Sequence, residues 1–221
     1  MGQIIDLAYL QLKIAPNWRH VIDYSNFIIS FAIYTFATTA TPGPNTVMLV
    51  ASGANFGIRR TIPHILGIAF GIIMVLALIG IGLGQMFELY PQSQMIIRYV
   101  GAAFLLYLAY KIATAKNNLN DDQQIGQPMS PVQAALLQSV NPKVWVVMIG
   151  AIGSFVTIGG NKYLEIGLMM ATYVAVSLPI QFGWCLFGRE IGRFLKSERA
   201  FRVFNFSMAG LLLITVITLV L

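Results

Sequence analysis

The residues best suited to bind a ligand lie where proline and glycine interrupt the first long apolar segment. Pro42, Gly43, Pro44 and Asn45 follow one another there. Proline lacks an amide N–H and clashes with the preceding helical turn, so a helix breaks at this point. Backbone amides freed at a helix start attract carboxylates, and the Asn45 side chain offers a further donor and acceptor. The stretch therefore predicts a ligand-binding helix break; the alternative is that Asn45 only caps the new helix.

A second break is predicted about half a chain length later, at Asn141, Pro142 and Lys143. A lysine inside or beside a membrane span is a candidate for pairing with a carboxylate or drawing an anion. Breaks at corresponding positions of two halves point to a binding site between them. The alternatives are that Pro142 merely starts a helix and that Lys143 extends to the lipid headgroups.

Further polar side chains lie within apolar stretches. Gln181 follows Pro179, and Asn205 lies near the start of the last apolar stretch. Each either lines a pathway or hydrogen-bonds a neighbouring helix. His20 and His64 lack the spacing of a metal site, and no Ser/His/Asp or Cys/His arrangement for nucleophilic catalysis is present. We therefore expect no catalytic residues, no metal and no cofactor.

The composition is that of a protein with several membrane spans. Of 221 residues, 57% are hydrophobic and 10% charged, with a mean hydropathy of +0.73, whereas a soluble domain carries about 25% charged residues. The lipid bilayer is thus an expected partner. The net charge of +6 is explained by lysine and arginine retained on the cytoplasmic side, which argues against a nucleic-acid partner. The oligomeric state stays open, a homo-oligomer included.

Six apolar segments are each near or above the roughly 20 residues that a helix needs to cross a bilayer. They are residues 26–54, 65–87, 95–113, 132–155, 164–187 and 201–221. We predict an all-α polytopic membrane protein whose six transmembrane helices form two inverted three-helix repeats. The expected organisation is an N-terminal tail at residues 1–24, a first repeat at 25–115, a polar connecting loop at 116–130 and a second repeat at 131–221.

The basic residues predict the orientation of these spans. Most of them fall on one side, which is therefore expected to be cytoplasmic, with both termini facing outward. That side carries Arg59, Arg60, Lys111, Lys116, Lys143, Arg189, Arg193, Lys196, Arg199 and Arg202, and the other carries Lys13, Arg19, Arg98 and Lys162.

Several of these motifs together resemble a known family. Five stretches are similar to the lysine-exporter/threonine-homoserine-resistance (LysE/RhtB) family of amino-acid efflux proteins. They are residues 41–45 (TPGPN), Gly53 with residues 57–59 (GIR), the pair Gly67 and Gly71, residues 101–111 and residues 141–143. The resemblance extends from about residue 26 to residue 221. It implies a six-span exporter of small amino acids in the bacterial inner membrane. Members of the family use the proton gradient, but no Asp or Glu lies in the middle of a span here, so the coupling ion stays open.

Within the family, residues 101–115 and 182–185 look similar to the cysteine/O-acetylserine exporter branch. The acidic residue that often follows the Pro-Gly-Pro motif in the family is Asn45 here, which argues against a basic amino acid as the substrate. The resemblance thus implies export of neutral amino acids or close derivatives by alternating access, at a substrate site formed by residues 42–45, residues 141–143 and Gln181. One alternative is transport of another small solute or a metal cation, and a metal cation would require acidic, histidine or cysteine ligands within the spans. The other alternative is a membrane enzyme or an assembly subunit.

Overall fold

The computed structural model describes residues 18–82, 89, 91–115, 127–156, 161–195 and 197–220. In this part of the chain the secondary structure is α-helical, without strands. Seven helices follow in order: α1 Trp18–Ala40, α2 Pro44–Gly80, α3 Pro91–Ala113, α4 Pro131–Val140, α5 Pro142–Phe155, α6 Lys162–Phe194 and α7 Glu198–Val220. Helix α1 thus begins inside the predicted tail, and residues 1–17 of that tail lie outside the described part.

The predicted break at the Pro-Gly-Pro stretch is present. Helix α1 ends at Ala40, and α2 begins at Pro44 with the extended Gly43 as its N-cap. Proline suits the first helical position because the N–H that it lacks would have no intrahelical partner there. The three residues between the helices therefore end one helix and start another.

Helix α2 changes direction sharply at Gly57, whose φ of 72° and ψ of 172° are not helical. The Ser52 and Thr61 hydroxyl oxygens are 2.9 Å apart, although nine residues of straight helix would span about 13.5 Å. The chain therefore folds back on itself at this glycine. We call the two parts α2a (residues 44–56) and α2b (residues 58–80).

Helix α6 packs along both parts of α2. On α2a, Val50 meets Gly188 and Ala54 meets Gly192, so the two helices run in the same direction. On α2b, Gly80 meets Ile166 near the start of α6, while Thr61 lies beside Cys185 near its end. The direction is thus opposite, as the turn at Gly57 requires. Helix α6 is the common support of the two parts.

The second predicted break is also present. Helices α4 and α5 meet at a 68° bend, where Asn141 ends the first and caps the second. The Trp145 indole N–H donates to the Ser139 carbonyl at 2.7 Å, and thereby satisfies a carbonyl at the end of α4. Helix α4 begins at the Ser130 capping box, while residues 116–126 of the predicted loop lie outside the described part.

Glycines allow unusually close helix packing at Gly67 and Gly71 of α2b. A Cβ on Gly67 would collide with the Pro131 carbonyl, and one on Gly71 would lie 2.6 Å from the Ala135 carbonyl oxygen. This face of α2b therefore packs closely against α4. Gly80 instead meets the Ile166 side chain of α6.

By length and composition, three of the described helices are able to cross a membrane. They are α2, α6 and α7, and the bent pair α4–α5 makes a fourth candidate. The buried apolar residues form two adjoining clusters. One joins α1, α2, α4, α5 and α6, and the other joins α2, α3, α4 and α7. The fold is therefore that of an all-helical protein with several membrane spans.

Replacing Gly57 by alanine should destabilise the protein by about 1–3 kcal/mol, because its φ and ψ lie in a region that side chains with a Cβ essentially avoid. The measurement is thermal unfolding of the purified protein in detergent. Gly167→Ala in α6 is the control, since a Cβ there would have no neighbour within 4 Å. Equal unfolding midpoints for both variants would contradict the strained turn.

Gly188→Ala should destabilise the α2a–α6 contact by about 1–3 kcal/mol, since its Cβ would overlap the Val50 carbonyl and the helices must separate. The control is Gly183→Ala, five residues earlier on the same helix. It makes the same change in helix propensity, but its Cβ would have no neighbour within 4 Å. Chemical unfolding in mixed micelles compares the two. A Gly188→Ala protein as stable as Gly183→Ala would disprove the close approach.

Candidate functional site

A cavity lies where the α1–α2 link, the start of α5 and the middle of α6 come together. It has about 560 Å³ of empty space when its open mouth is included. Its wall consists of Thr38, Thr39, Thr41, Gly43, Pro44, Asn45, Thr46, Leu49, Ile68, Ile72, Asn141, Lys143, Val144, Val147, Met148, Tyr173, Gln181 and Trp184.

The structure brings six of the eight residues predicted as a substrate site to this one cavity. They are Gly43, Pro44, Asn45, Asn141, Lys143 and Gln181. Pro42 and Pro142 are not part of the wall. Pro42 lies within the link before α2, and Pro142 is the first residue of α5, so both act by shaping the chain.

Lys143 connects the two helix breaks. Its Nζ donates to the Thr41 carbonyl oxygen at 3.1 Å, across to the end of α1. Its backbone N–H donates to Asn141 Oδ1 at 3.1 Å, which is the N-cap bond of α5. Gly43 makes room for the lysine stem, because a Cβ there would lie 3.1 Å from Nζ. No ion pair joins Lys143 to an acidic side chain of the described residues.

Asn45 pairs with Gln138 of α4. Asn45 Nδ2 donates to Gln138 Oε1 at 2.9 Å, and Gln138 Nε2 donates to Asn45 Oδ1 at 3.2 Å. The interpretation of Asn45 as a helix cap is therefore wrong: Gly43 is the N-cap, without a capping side chain. Gln138, fully buried, was missed, although a glutamine within an apolar span is itself a signal.

The start of α2 presents free backbone donors to the cavity. The first amides of a helix have no intrahelical partner, Pro44 has none to offer, and no side chain caps this end. The Asn45 and Thr46 amides are thus left at a helix end that carries partial positive charge. Together with the Lys143 ammonium, they make this part of the wall attractive to a carboxylate.

Gln181 contributes a buried carboxamide from α6. The side chain is 3% exposed, and neither Nε2 nor Oε1 has a hydrogen-bond partner among the described residues. Tyr173 and Trp184 of the same helix also line the cavity. These two aromatic residues were missed because aromatic side chains in an apolar helix do not reveal which way they face.

Lys143 is the charged residue of the cavity wall, which includes no aspartate or glutamate among the described residues. The remaining polar groups are hydroxyls, carboxamides and backbone atoms. The wall therefore has net positive charge.

Asn205 lies outside the cavity wall. It is fully buried and accepts a hydrogen bond from Asn55 Nδ2 at 3.2 Å, which confirms that it joins neighbouring helices. Neither residue lines the cavity. Within the described part of the chain, no three His, Cys, Asp or Glu side chains come together as a metal site would require.

A polar cavity between broken helices, in an all-helical protein with several apolar spans, defines a multi-pass membrane protein of the transporter class. Residues 36–221 match the LysE type translocator family, and the chain belongs to this family. The family is one of translocators and not a class of enzymes.

Three relatives illustrate the similarity. The chain is 22% identical over 198 residues to an uncharacterized membrane protein of Vibrio cholerae, covering 86% of this chain and 95% of that protein. It is 30% identical over 129 residues to the cysteine/O-acetylserine efflux protein of Klebsiella pneumoniae and 31% over 130 residues to that of Escherichia coli K12. Each of these matches covers 58% of this chain, and 65% and 64% of the respective relative. No solved structure matches.

The Asn45–Gln138 pair should show strong energetic coupling. Asn45→Ala leaves Gln138 Oε1 buried without its donor, although Gln138 Nε2 keeps its bond to the Ala134 carbonyl, and Gln138→Ala leaves the half-buried Asn45 carboxamide unpaired. Each loss costs about 1–3 kcal/mol, so the double variant should lose clearly less than the sum. Unfolding free energies in mixed micelles measure the coupling. Asn45→Ala with Asn205→Ala is the control, because about 15 Å of helix separates Asn45 from Asn55 and distant sites add independently. Additive losses for Asn45 and Gln138 would refute the pair.

Proposed function

We propose that this protein exports neutral amino acids, or close derivatives, from the bacterial cytoplasm across the inner membrane. The observation that carries the proposal is the meeting of two helix breaks at one cavity whose charged side chain is Lys143. In many transporters such breaks lie at the substrate site between two repeats.

The electrostatics suit a zwitterion. The substrate carboxylate binds at the start of α2, where the Asn45 and Thr46 amides and the Lys143 ammonium converge. The end of α1 carries partial negative charge on its last carbonyls, and Thr38, Thr39 and Thr41 bring this end to the same cavity. The substrate ammonium binds there. A cationic side chain finds no carboxylate in the described wall, which favours neutral amino acids.

The chain order supports six spans in two inverted halves. In the first half, α1 and α2a flank a break, α2b follows the turn at Gly57, and α3 comes last. In the second half, α4 and α5 flank a break, and α6 and α7 follow. Pro44 and Pro142 both begin the helix after a break. Two such halves, with both termini outside, provide alternating access around the cavity.

The family and the relatives favour amino-acid efflux. The K. pneumoniae and E. coli relatives are cysteine/O-acetylserine efflux proteins, whose names describe small neutral amino acids. These matches span about two thirds of each relative's length, so we carry over the class of substrate and not its identity.

The test is transport by the purified protein in proteoliposomes. Vesicles loaded with single radiolabelled amino acids, neutral, acidic and basic, are diluted into label-free buffer with and without a proton gradient. We expect release of neutral amino acids from vesicles with the protein and not from empty vesicles. The proposal would be overturned if the vesicles with the protein released none of the neutral amino acids tested.

Lys143→Ala should raise the KM for neutral amino acids by about 10- to 100-fold, because a hydrogen bond to a charged group contributes about 1.5–3 kcal/mol. Lys162→Ala removes an exposed lysine at the start of α6 and should leave transport unchanged. Initial efflux rates at several internal concentrations provide the comparison, with protein levels checked by immunoblot. Equal KM values for the two variants would show that Lys143 does not bind the substrate.

A further inference from the structure

The carboxamide of Gln181 is a buried polar group at the cavity wall without a partner in the described protein. Its side chain is 3% exposed, and both Nε2 and Oε1 are unpaired. Buried polar atoms are generally hydrogen-bonded, since leaving them unpaired is destabilising. An unpaired donor and acceptor at the wall of a cavity therefore indicate the chemistry of a ligand group.

The carboxamide pair of Asn45 and Gln138 shows what completes such a group. Gln138 pairs reciprocally with Asn45, at 2.9 and 3.2 Å, and its Nε2 also donates to the Ala134 carbonyl at 2.8 Å. A carboxamide presents its acceptor oxygen and donor nitrogen side by side. A second carboxamide satisfies both atoms at once, which a group that only donates or only accepts does not.

The main-chain groups of an amino acid have other partners under the proposed function. The carboxylate is held by Lys143 and the start of α2, and the ammonium by the end of α1. Gln181 projects from α6 and is thereby left for the substrate side chain. A carboxylate in that side chain would accept from Nε2 but face the Oε1 acceptor with a negative charge, which is unfavourable.

We infer that Gln181 selects amino acids whose side chain carries a hydrogen-bond donor and an acceptor on two atoms bonded to the same carbon, as the carboxamides of glutamine and asparagine do. This inference rests on the proposed function and names the substrate class of the same site. An apolar ligand of the same size leaves both Gln181 atoms unpaired, and sites built to hydrogen-bond reject such ligands strongly.

The test compares glutamine with two nearly isosteric ligands, glutamate and homoleucine, and with the shorter homoserine. Glutamine, glutamate, homoleucine and the hydroxyl-bearing homoserine are titrated against the purified protein in detergent, and dissociation constants are obtained from the rise in unfolding midpoint. The same ligands compete with the efflux of radiolabelled glutamine from proteoliposomes. We expect glutamine to bind about 10- to 100-fold more tightly than homoleucine and glutamate.

Gln181→Leu should abolish this preference by weakening glutamine and strengthening homoleucine, until the two differ by less than about 3-fold. Gln181→Glu keeps the size of the side chain but not the carboxamide, and should also weaken glutamine. The control is Gln127→Leu at an exposed loop position, which should retain the full preference. The gain of homoleucine binding distinguishes lost selection from a variant that merely misfolds.

Three outcomes would overturn the inference. In the first, homoserine binds as tightly as glutamine, and a single hydroxyl suffices. In the second, Gln181→Leu weakens every amino acid equally, so that Gln181 holds the main chain. In the third, the wild-type protein transports neutral amino acids without a glutamine preference, so that the inference fails while the proposed function stands. The failure of the proposed function is separate: it is the absence of amino-acid transport altogether.

Discussion

The structure depends on satisfying the backbone groups that two helix breaks expose among apolar helices. A lipid-facing environment offers no water to an unpaired amide or carbonyl, so partners must come from the protein or from a cavity. Here residues at the two breaks supply hydrogen-bond partners for the exposed backbone groups. Lys143 after the second break donates to the Thr41 carbonyl at the first, and Asn141 caps the helix that starts beside it. The cavity lies where the remaining free amides meet.

This arrangement is held in place by close packing of backbones. Glycines let α2a approach the end of α6, and let α2b approach α4, at distances where a single Cβ would collide with a carbonyl. In an apolar environment, where helices have little hydrophobic reason to associate, such contact is the main source of attraction. The sharp turn at Gly57 places both parts of α2 on the same supporting helix. The cavity wall is therefore assembled on rigid elements.

The chemical character of the cavity follows from what lines it. The described wall contains the Lys143 ammonium, the buried Gln181 carboxamide and the uncapped start of α2, and it lacks acidic side chains. Buried polar groups in such a setting interact more strongly than in water, and each unpaired one is costly. The polar groups left unpaired at the breaks therefore determine the chemical character of the cavity.

The sequence by itself determined the helical class and both breaks, because proline chemistry and apolar length act locally. It also pointed to Asn141, Lys143 and Gln181, since polar residues within apolar runs are conspicuous. It did not reveal that Asn45 is paired with Gln138. Only the tertiary structure decided this, together with the reversal at Gly57 and the approach of Tyr173 and Trp184 to the cavity. The reason is that contacts between distant segments depend on how helices cross and rotate, and residue type does not specify either.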